Sequence, residues 1–221
     1  MEFPDWEPVY ELILKDFGYS RSEDERAARV LATLASGKTL CDCGCLTEMF
    51  GEYATIVAGP PRSGKHIFDL IEGTTLTVGI GTSLLLEEGL VPDLVVTDLD
   101  GDVVTDLEAN SKGAVLVVHA HGDNIPALRR FIPSVHARMM LTTQSTPFGI
   151  VHDFGGFTDG DRAVALAAHF GVRNMRLIGF DFDHPRSKIG SSMKIKAKKL
   201  RWAEMVIDQI AAKNGVTIEY L

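Results

Sequence analysis

Long apolar runs are missing from this 221-residue chain. No stretch approaches 18 uninterrupted apolar residues, the length at which a membrane-spanning helix is expected, so none is expected here. The N-terminus, Met-Glu-Phe-Pro-Asp-Trp-Glu, lacks the basic region of a signal peptide, and a cytoplasmic protein is the expectation. An excess of positive charge is also missing. Lys and Arg number 22 against 30 Asp and Glu, a formal net charge of -8. That balance argues against non-specific nucleic-acid binding. Cysteine is scarce: Cys41, Cys43 and Cys45 are the three in the chain. An odd count in one cluster does not indicate a disulfide framework. No second Cys/His cluster completes a zinc ligand set, so the reading is reduced cysteines in a connector. Internal repeats and low-complexity tracts are absent as well.

What is present is an ordinary globular composition, with a hydrophobic fraction of 45%. Residues 1–50 read as an N-terminal helical segment. Val9, Leu12 and Ile13 lie on one face, and Ser22 with Glu25 forms a capping-box start for a second helix ending near Gly37. This segment shows no catalytic constellation and reads as an appendage packed on the core or on a partner, with a homo-oligomer left open. Residues 51–221 alternate short apolar runs with helical stretches, the pattern of βαβ units. Strands are expected at 55–58, 76–78, 94–97, 114–118, 138–142, 175–179 and 216–220. Helices are expected at 65–71, 83–88, 103–110, 125–131, 159–170 and 193–213. The fold class is therefore α/β, a Rossmann-like three-layer fold with a mostly parallel sheet plus an N-terminal helical appendage. Residues 183–192 read as a mobile loop.

The chain is organised around Pro92 to Asp102. The buried run Leu94–Val96 leads into Asp98, Asp100 and Asp102, and Gly101 is expected to supply the sharp turn. Carboxylates at the C-terminal end of a buried strand lie where open α/β sheets bind ligands. Close carboxylates repel, so a site that keeps several pairs them with a cation, and Mg²⁺ held with substrate phosphates is the natural candidate. Calcium of the EF-hand type is excluded, because Val103 and Ala109 stand where Gly and Glu are required. A haloacid-dehalogenase-type phosphatase competes, through Asp-x-Asp-Gly after a strand. A solvated acidic turn is the bland reading.

Other strand ends carry polar loops that a parallel sheet gathers on one edge. Gly59 to Lys65 approaches a P-loop, but His66 replaces the Ser or Thr that holds Mg²⁺, and Pro60 and Pro61 remove backbone N–H groups. A looser phosphate contact at Gly59 is the remaining reading. His121 and Asp123 follow the fourth strand as acid/base or phosphate-contacting groups, whereas His119 is as readily structural. Gly155 to Arg162 opens a helix capped by Thr158 or Asp159, with Asp161 and Arg162 in its first turn. A basic run from Lys188 to Arg201, including Lys198, reads either as a solvated helix face or as a polyphosphate contact.

Four ordered motifs, Pro92 to Asp102, His119 to Asn124, Gly155 to Ala163 and Gly179 to Phe182, resemble the archaeal-type 6-hydroxymethyl-7,8-dihydropterin pyrophosphokinases. That family is distantly similar to thiamine pyrophosphokinases. The resemblance spans residues 53–215. It implies ATP and Mg²⁺, and transfer of diphosphate to the hydroxymethyl group of a reduced pterin, with AMP as the other product, in methanopterin or folate synthesis. It implies Asp98, Asp100 and Asp102 as metal ligands. Asp123 and His121 would orient or deprotonate the hydroxyl. Gly59, Thr82, Asp161, Arg162 and Lys198 would hold the nucleotide. Gly79-Ile80-Gly81 departs from the family, which tends to carry Ala-Asp-Gly there. A thiamine pyrophosphokinase-like enzyme, a phosphatase and a nucleotide-binding protein without turnover are the alternatives.

Overall fold

The computed structural model describes residues 1–62, 64–184 and 192–221. Ser63, Lys188 and most of the expected loop at 183–192 lie outside the described residues. Eight strands form one sheet: β1 (Tyr53–Val57), β2 (Thr74–Val78), β3 (Leu94–Thr97), β4 (Val115–Ala120), β5 (Met139–Thr143), β6 (Val151–His152), β7 (Asn174–Ile178) and β8 (Thr217–Tyr220). Their order is β6-β5-β4-β3-β2-β1-β7-β8, and every pairing between them is parallel. The order follows the chain from β1 to β6 and reverses between β1 and β7, which places a topological switch point there.

The strands read as continuous apolar runs because both of their faces are covered. Leu94 and Val96, with Val115 and Val117, enter one core. Val95, Leu116 and Val118 enter the other. The first core packs under α1 (Phe3–Phe17), α3 (Cys43–Met49), α7 (Asp159–His169) and α8 (Met193–Asn214). The second packs under α2 (Arg21–Leu34), α5 (Val103–Ser111) and α6 (Ile125–Phe131). Val57 and Ile178 face a smaller cluster with Leu85 of α4 (Gly81–Glu87). This is the expected three-layer α/β arrangement.

The helices of residues 1–50 are joined closely to the sheet. Trp6 is fully buried, and its Nε1 donates to the Gln144 carbonyl at 2.9 Å. Tyr10 donates to buried Asp24 at 2.7 Å, and Asp24 also accepts from Gln144 Nε2 and from the Gly122 N–H. Three donors converge on one carboxylate and hold α1 and α2 to the loops after β4 and β5. A charge-assisted network of this kind fixes geometry more firmly than neutral hydrogen bonds.

Two local expectations change. The helix expected at 65–71 is a single 3-10 turn, Ile67–Leu70. No α-helix therefore begins here to offer its N-terminus to phosphate. The cysteines are not all reduced: Cys41 and Cys45 are joined by a disulfide, and Cys43 is free. The side chain of Asp42 accepts from the Cys45 N–H and starts α3, which brings the two Cα atoms to 5.5 Å, within bridging range.

Candidate active site

The carboxyl ends of β3, β4 and β5, the N-terminus of α7 and the start of α2 enclose a cleft of about 540 Å³. Asp98 and Asp100 enter it from β3. The left-handed residue between them is Leu99, with φ 62, and not Gly101. A non-glycine residue there carries strain of about 1–2 kcal/mol. Leu99 is anchored against that strain by burial in the second core and by its N–H on Thr97 Oγ1. The turn lets the Asp98 carboxylate accept the Asp100 N–H at 3.2 Å, and both side chains face the cleft.

Asp98 Oδ2 lies 3.3 Å from His121 Nε2. Burial alone would raise the Asp98 pKa, but the His121 hydrogen bond and the charge of Arg162 prevail and hold it well below the usual carboxylate range. Asp98 is therefore a carboxylate at neutral pH. Asp159, the first residue of α7, is driven the other way, by burial and then by the charge of Asp98, against the ion pair it makes with Arg162 at 2.9 Å. Arg162 is buried, also donates to Gln144 Oε1, and has a buried Nε without a hydrogen-bond partner. Asp98 and Asp159 thus share the charge of one guanidinium, and Asp100 lines the cleft beside them.

The expected site residues separate into two groups. Asp98, Asp100, His121, Asp123 and Arg162 all line the cleft. Asp102 does not: its carboxylate accepts from the Thr105 N–H and Oγ1 and caps α5. Asp161 is fully buried, and the Phe157 and Thr158 N–H groups and the Thr158 hydroxyl all bond to it, so it builds the loop before α7. Lys198 pairs with Asp16 at 2.8 Å and lies over the Phe17 ring, away from the cleft. Lys196 and Lys199, from other faces of α8, line the cleft instead. Gly59 sits against Gly179, where a Cβ on Gly179 would lie 2.4 Å from the Gly59 carbonyl carbon. His119 is buried with Nδ1 3.1 Å from Thr142 Oγ1, and burial lowers its pKa, so it is a neutral core histidine.

Thr82 is also inside, 2.9 Å from Thr77 Oγ1. It and Thr97 hydrogen-bond Asp106, yet burial prevails and raises the Asp106 carboxyl to about 6. The unfolded-state value is about 4. Between these values the folded chain keeps a proton that the unfolded chain has lost. This contribution is therefore full below about pH 4 and is lost as pH rises through about 6. Asp106→Asn is expected to flatten the dependence of the urea midpoint on pH across that window. A slope equal to that of the parent chain would show that Asp106 is ionised in the fold.

Sequence reasoning passed over the contribution of residues 1–50. Tyr19, Ser20, Glu23 and Asp24 line one side of the cleft. Their only local signal was the capping box expected at Ser22; the helix in fact starts one residue earlier, with Ser20 as its N-cap and no side-chain cap bond, and either start marks a helix without naming its neighbours. Phe157 completes that side, and Lys199 lies over the rings of both Tyr19 and Phe157.

Comparison with known proteins bears on what this cleft serves. The family model described as 6-hydroxymethylpterin diphosphokinase MptE-like matches residues 46–187. A protein of Methanothermobacter thermautotrophicus named 6-hydroxymethyl-7,8-dihydropterin pyrophosphokinase is 40% identical, covering 99% of this chain and 99% of its own. A protein of the same name from Pyrococcus furiosus is 37% identical over 97% of this chain and 96% of its own. Among solved structures, a probable thiamine pyrophosphokinase from Staphylococcus saprophyticus superposes with a TM-score of 0.40 at 19% identity, covering 76% of this chain and 64% of that one. With a family match over residues 46–187 and relatives similar along nearly the whole length, the chain belongs to the 6-hydroxymethylpterin diphosphokinase MptE-like family.

Proposed function

We propose that this chain transfers diphosphate from ATP to the hydroxymethyl group of 6-hydroxymethyl-7,8-dihydropterin, releasing AMP, and supplies methanopterin or folate synthesis. The observation that carries the reading is the cluster of Asp98, Asp100 and Asp159 around Arg162 in one cleft, in a chain whose full-length relatives bear that name. The donor set fits Mg²⁺. Among the described residues no cage of three or more His, Cys, Asp or Glu side chains is present. Mg²⁺ does not need one, since it keeps several waters and binds through one or two carboxylates with substrate phosphates. Asp98 and Asp100 would hold it, and it would neutralise the charge of the transferring phosphates.

The remaining steps belong to the chain. The pterin hydroxyl oxygen attacks the β-phosphorus, and the bond from that phosphorus to the α,β-bridging oxygen breaks, so that AMP leaves with the oxygen. Asp123, at the rim of the cleft, receives the hydroxyl proton, and His121 is held in place by Asp98. Arg162 and Lys199 oppose phosphate charge, and most of the rate comes from such positioning. The helices of residues 1–50 act as a fixed wall that narrows the cleft beside the acceptor.

Incubation with ATP, Mg²⁺ and the reduced hydroxymethylpterin is expected to yield AMP only when pterin is present. Release of inorganic phosphate from phosphate monoesters, without pterin-dependent AMP, would replace this reading with the phosphatase.

A further inference from the structure

A second cavity, of about 330 Å³, opens beside the acidic cleft. It lies at the carboxyl ends of β1 and β7, where the strand order reverses. Open α/β sheets bind ligands in such a crevice. Its lining is apolar over most of its surface, from Ala58 just after β1, Val78 of β2, Phe180 and Phe182 after β7, and Leu200 and Ala203 of α8, with Asp161, Asp181 and His184 among its polar residues. Its size is at the lower end of small-molecule pockets, ample for one planar ring system with its sugar. Thr158, Lys196 and Lys199 line both this cavity and the acidic cleft, so a ligand can pass from one to the other beside two lysines.

The two compartments differ in the hydrogen bonds they offer. In the slot, Asp161 is bonded by the loop before α7. Asp181 accepts from the Asp183 and His184 N–H groups and pairs with Arg62 at 3.1 Å. A reduced pterin carries an amide and an amino group along one edge, and burying them without partners costs about 1–3 kcal/mol per group. The acidic cleft offers such an edge Asp123 and the Oε1 of Glu23, whose Oε2 pairs with Arg26, and it has the Tyr19 and Phe157 rings beside it. A purine base, with fewer polar groups around a large π-face, suits the aromatic and aliphatic slot.

We propose that the slot at the β1/β7 switch point receives the adenine base of the nucleotide, while the pterin occupies the acidic cleft. The polyphosphate runs between them along the wall of Thr158, Lys196 and Lys199 to reach Asp98 and Asp100. The assignment of ligands rests on the proposed reaction, and the division into two compartments rests on the lining.

The test uses the full chain and two equilibrium measurements. Calorimetry follows a non-transferable ATP analogue with a methylene group between the α and β phosphates, and fluorescence follows 6-hydroxymethylpterin. Leu200→Trp adds bulk to the half-buried slot wall, and Phe182→Ala removes a half-buried ring. Melting curves identify which of the two retains the parent fold, and either one suffices. Each is expected to weaken the nucleotide analogue about tenfold or more, a change of about 1.4 kcal/mol, and to leave pterin affinity within about twofold. Weakened pterin with unchanged nucleotide would assign the slot to the pterin and overturn the proposal. Two unchanged affinities would overturn it as well. A parent chain that binds the nucleotide analogue and no pterin would remove the proposed reaction and leave the nucleotide assignment to the variants. A parent chain that binds no nucleotide would overturn both.

Discussion

Replacing Asp98 or Asp100 by asparagine is expected to abolish pterin-dependent AMP formation in a chain that still folds. Each substitution keeps the shape of the side chain and removes one charge from the cleft lining. For Asp98, asparagine still reaches His121, so the 3.3 Å contact has a partner. Two effects on stability oppose each other. The charge of Asp98 is favoured by His121 and Arg162, and its loss weakens that interaction. The same charge disfavours ionised Asp159, and its loss relieves that repulsion. The fold should therefore change little, whereas the loss of a carboxylate that would hold Mg²⁺ against the transferring phosphates lowers the rate by about 10²–10³. AMP release under saturating Mg²⁺, set beside the urea midpoint, separates the two. A parental rate in either variant would remove that residue from the proposed metal site.

Gly156→Ala is expected to produce the largest loss of stability at this site. Gly156 has φ +97, a backbone conformation that L side chains rarely adopt. A Cβ there would lie 2.6 Å from the Arg162 Cα and 2.7 Å from its nitrogen, and both are backbone atoms that cannot swing aside. The first turn of α7 must shift and take Arg162 and Asp159 with it. Local strain of about 1–3 kcal/mol and overpacking of about 1–3 kcal/mol act together, so a loss of several kcal/mol is expected. Gly149→Ala is the control, with φ +55 and nothing within 4 Å of the added atom. It should show the backbone strain alone, about 1–2 kcal/mol. Equal urea midpoints for the two variants would mean that α7 yields without resistance, and the close approach would then have no role in holding Arg162.

Leu99 and Gly101 show how far local reasoning carries. The stretch Leu94 to Asp102 announces a buried strand with acidic residues at its end, and the strand is there. Glycine is the residue expected at a sharp turn, yet the positive φ belongs to Leu99. Its side chain has a place in the second core, and that burial offsets a conformation its own chemistry disfavours. The lysines of α8 show the same limit. A run containing Lys194, Lys196, Lys198 and Lys199 reads as one basic cluster, but helical geometry sends Lys198 to Asp16 and brings Lys196 and Lys199 to the cleft. Which lysine serves the site depends on where α1 ends, and α1 is more than 170 residues away along the chain (roughly, by residue number).

By itself the sequence determined the layered α/β class, the parallel sheet and the edge on which polar loops collect. These follow from periodicity and from the order of strands and helices, both of which are local. It also determined that carboxylates end the third strand. Only the tertiary structure decided how those carboxylates are used. Asp102 turns aside to cap α5, Asp161 binds its own loop, and Asp159 joins Asp98 and Asp100 across a gap between elements distant in the chain. It alone brought Tyr19 to Asp24 into the cleft wall, through the hydrogen bonds of Tyr10, Gln144 and Gly122 to Asp24. The physical reason is the same in each case. A carboxylate takes whichever donor or charge the packing brings nearest, and a local pattern does not contain that distance.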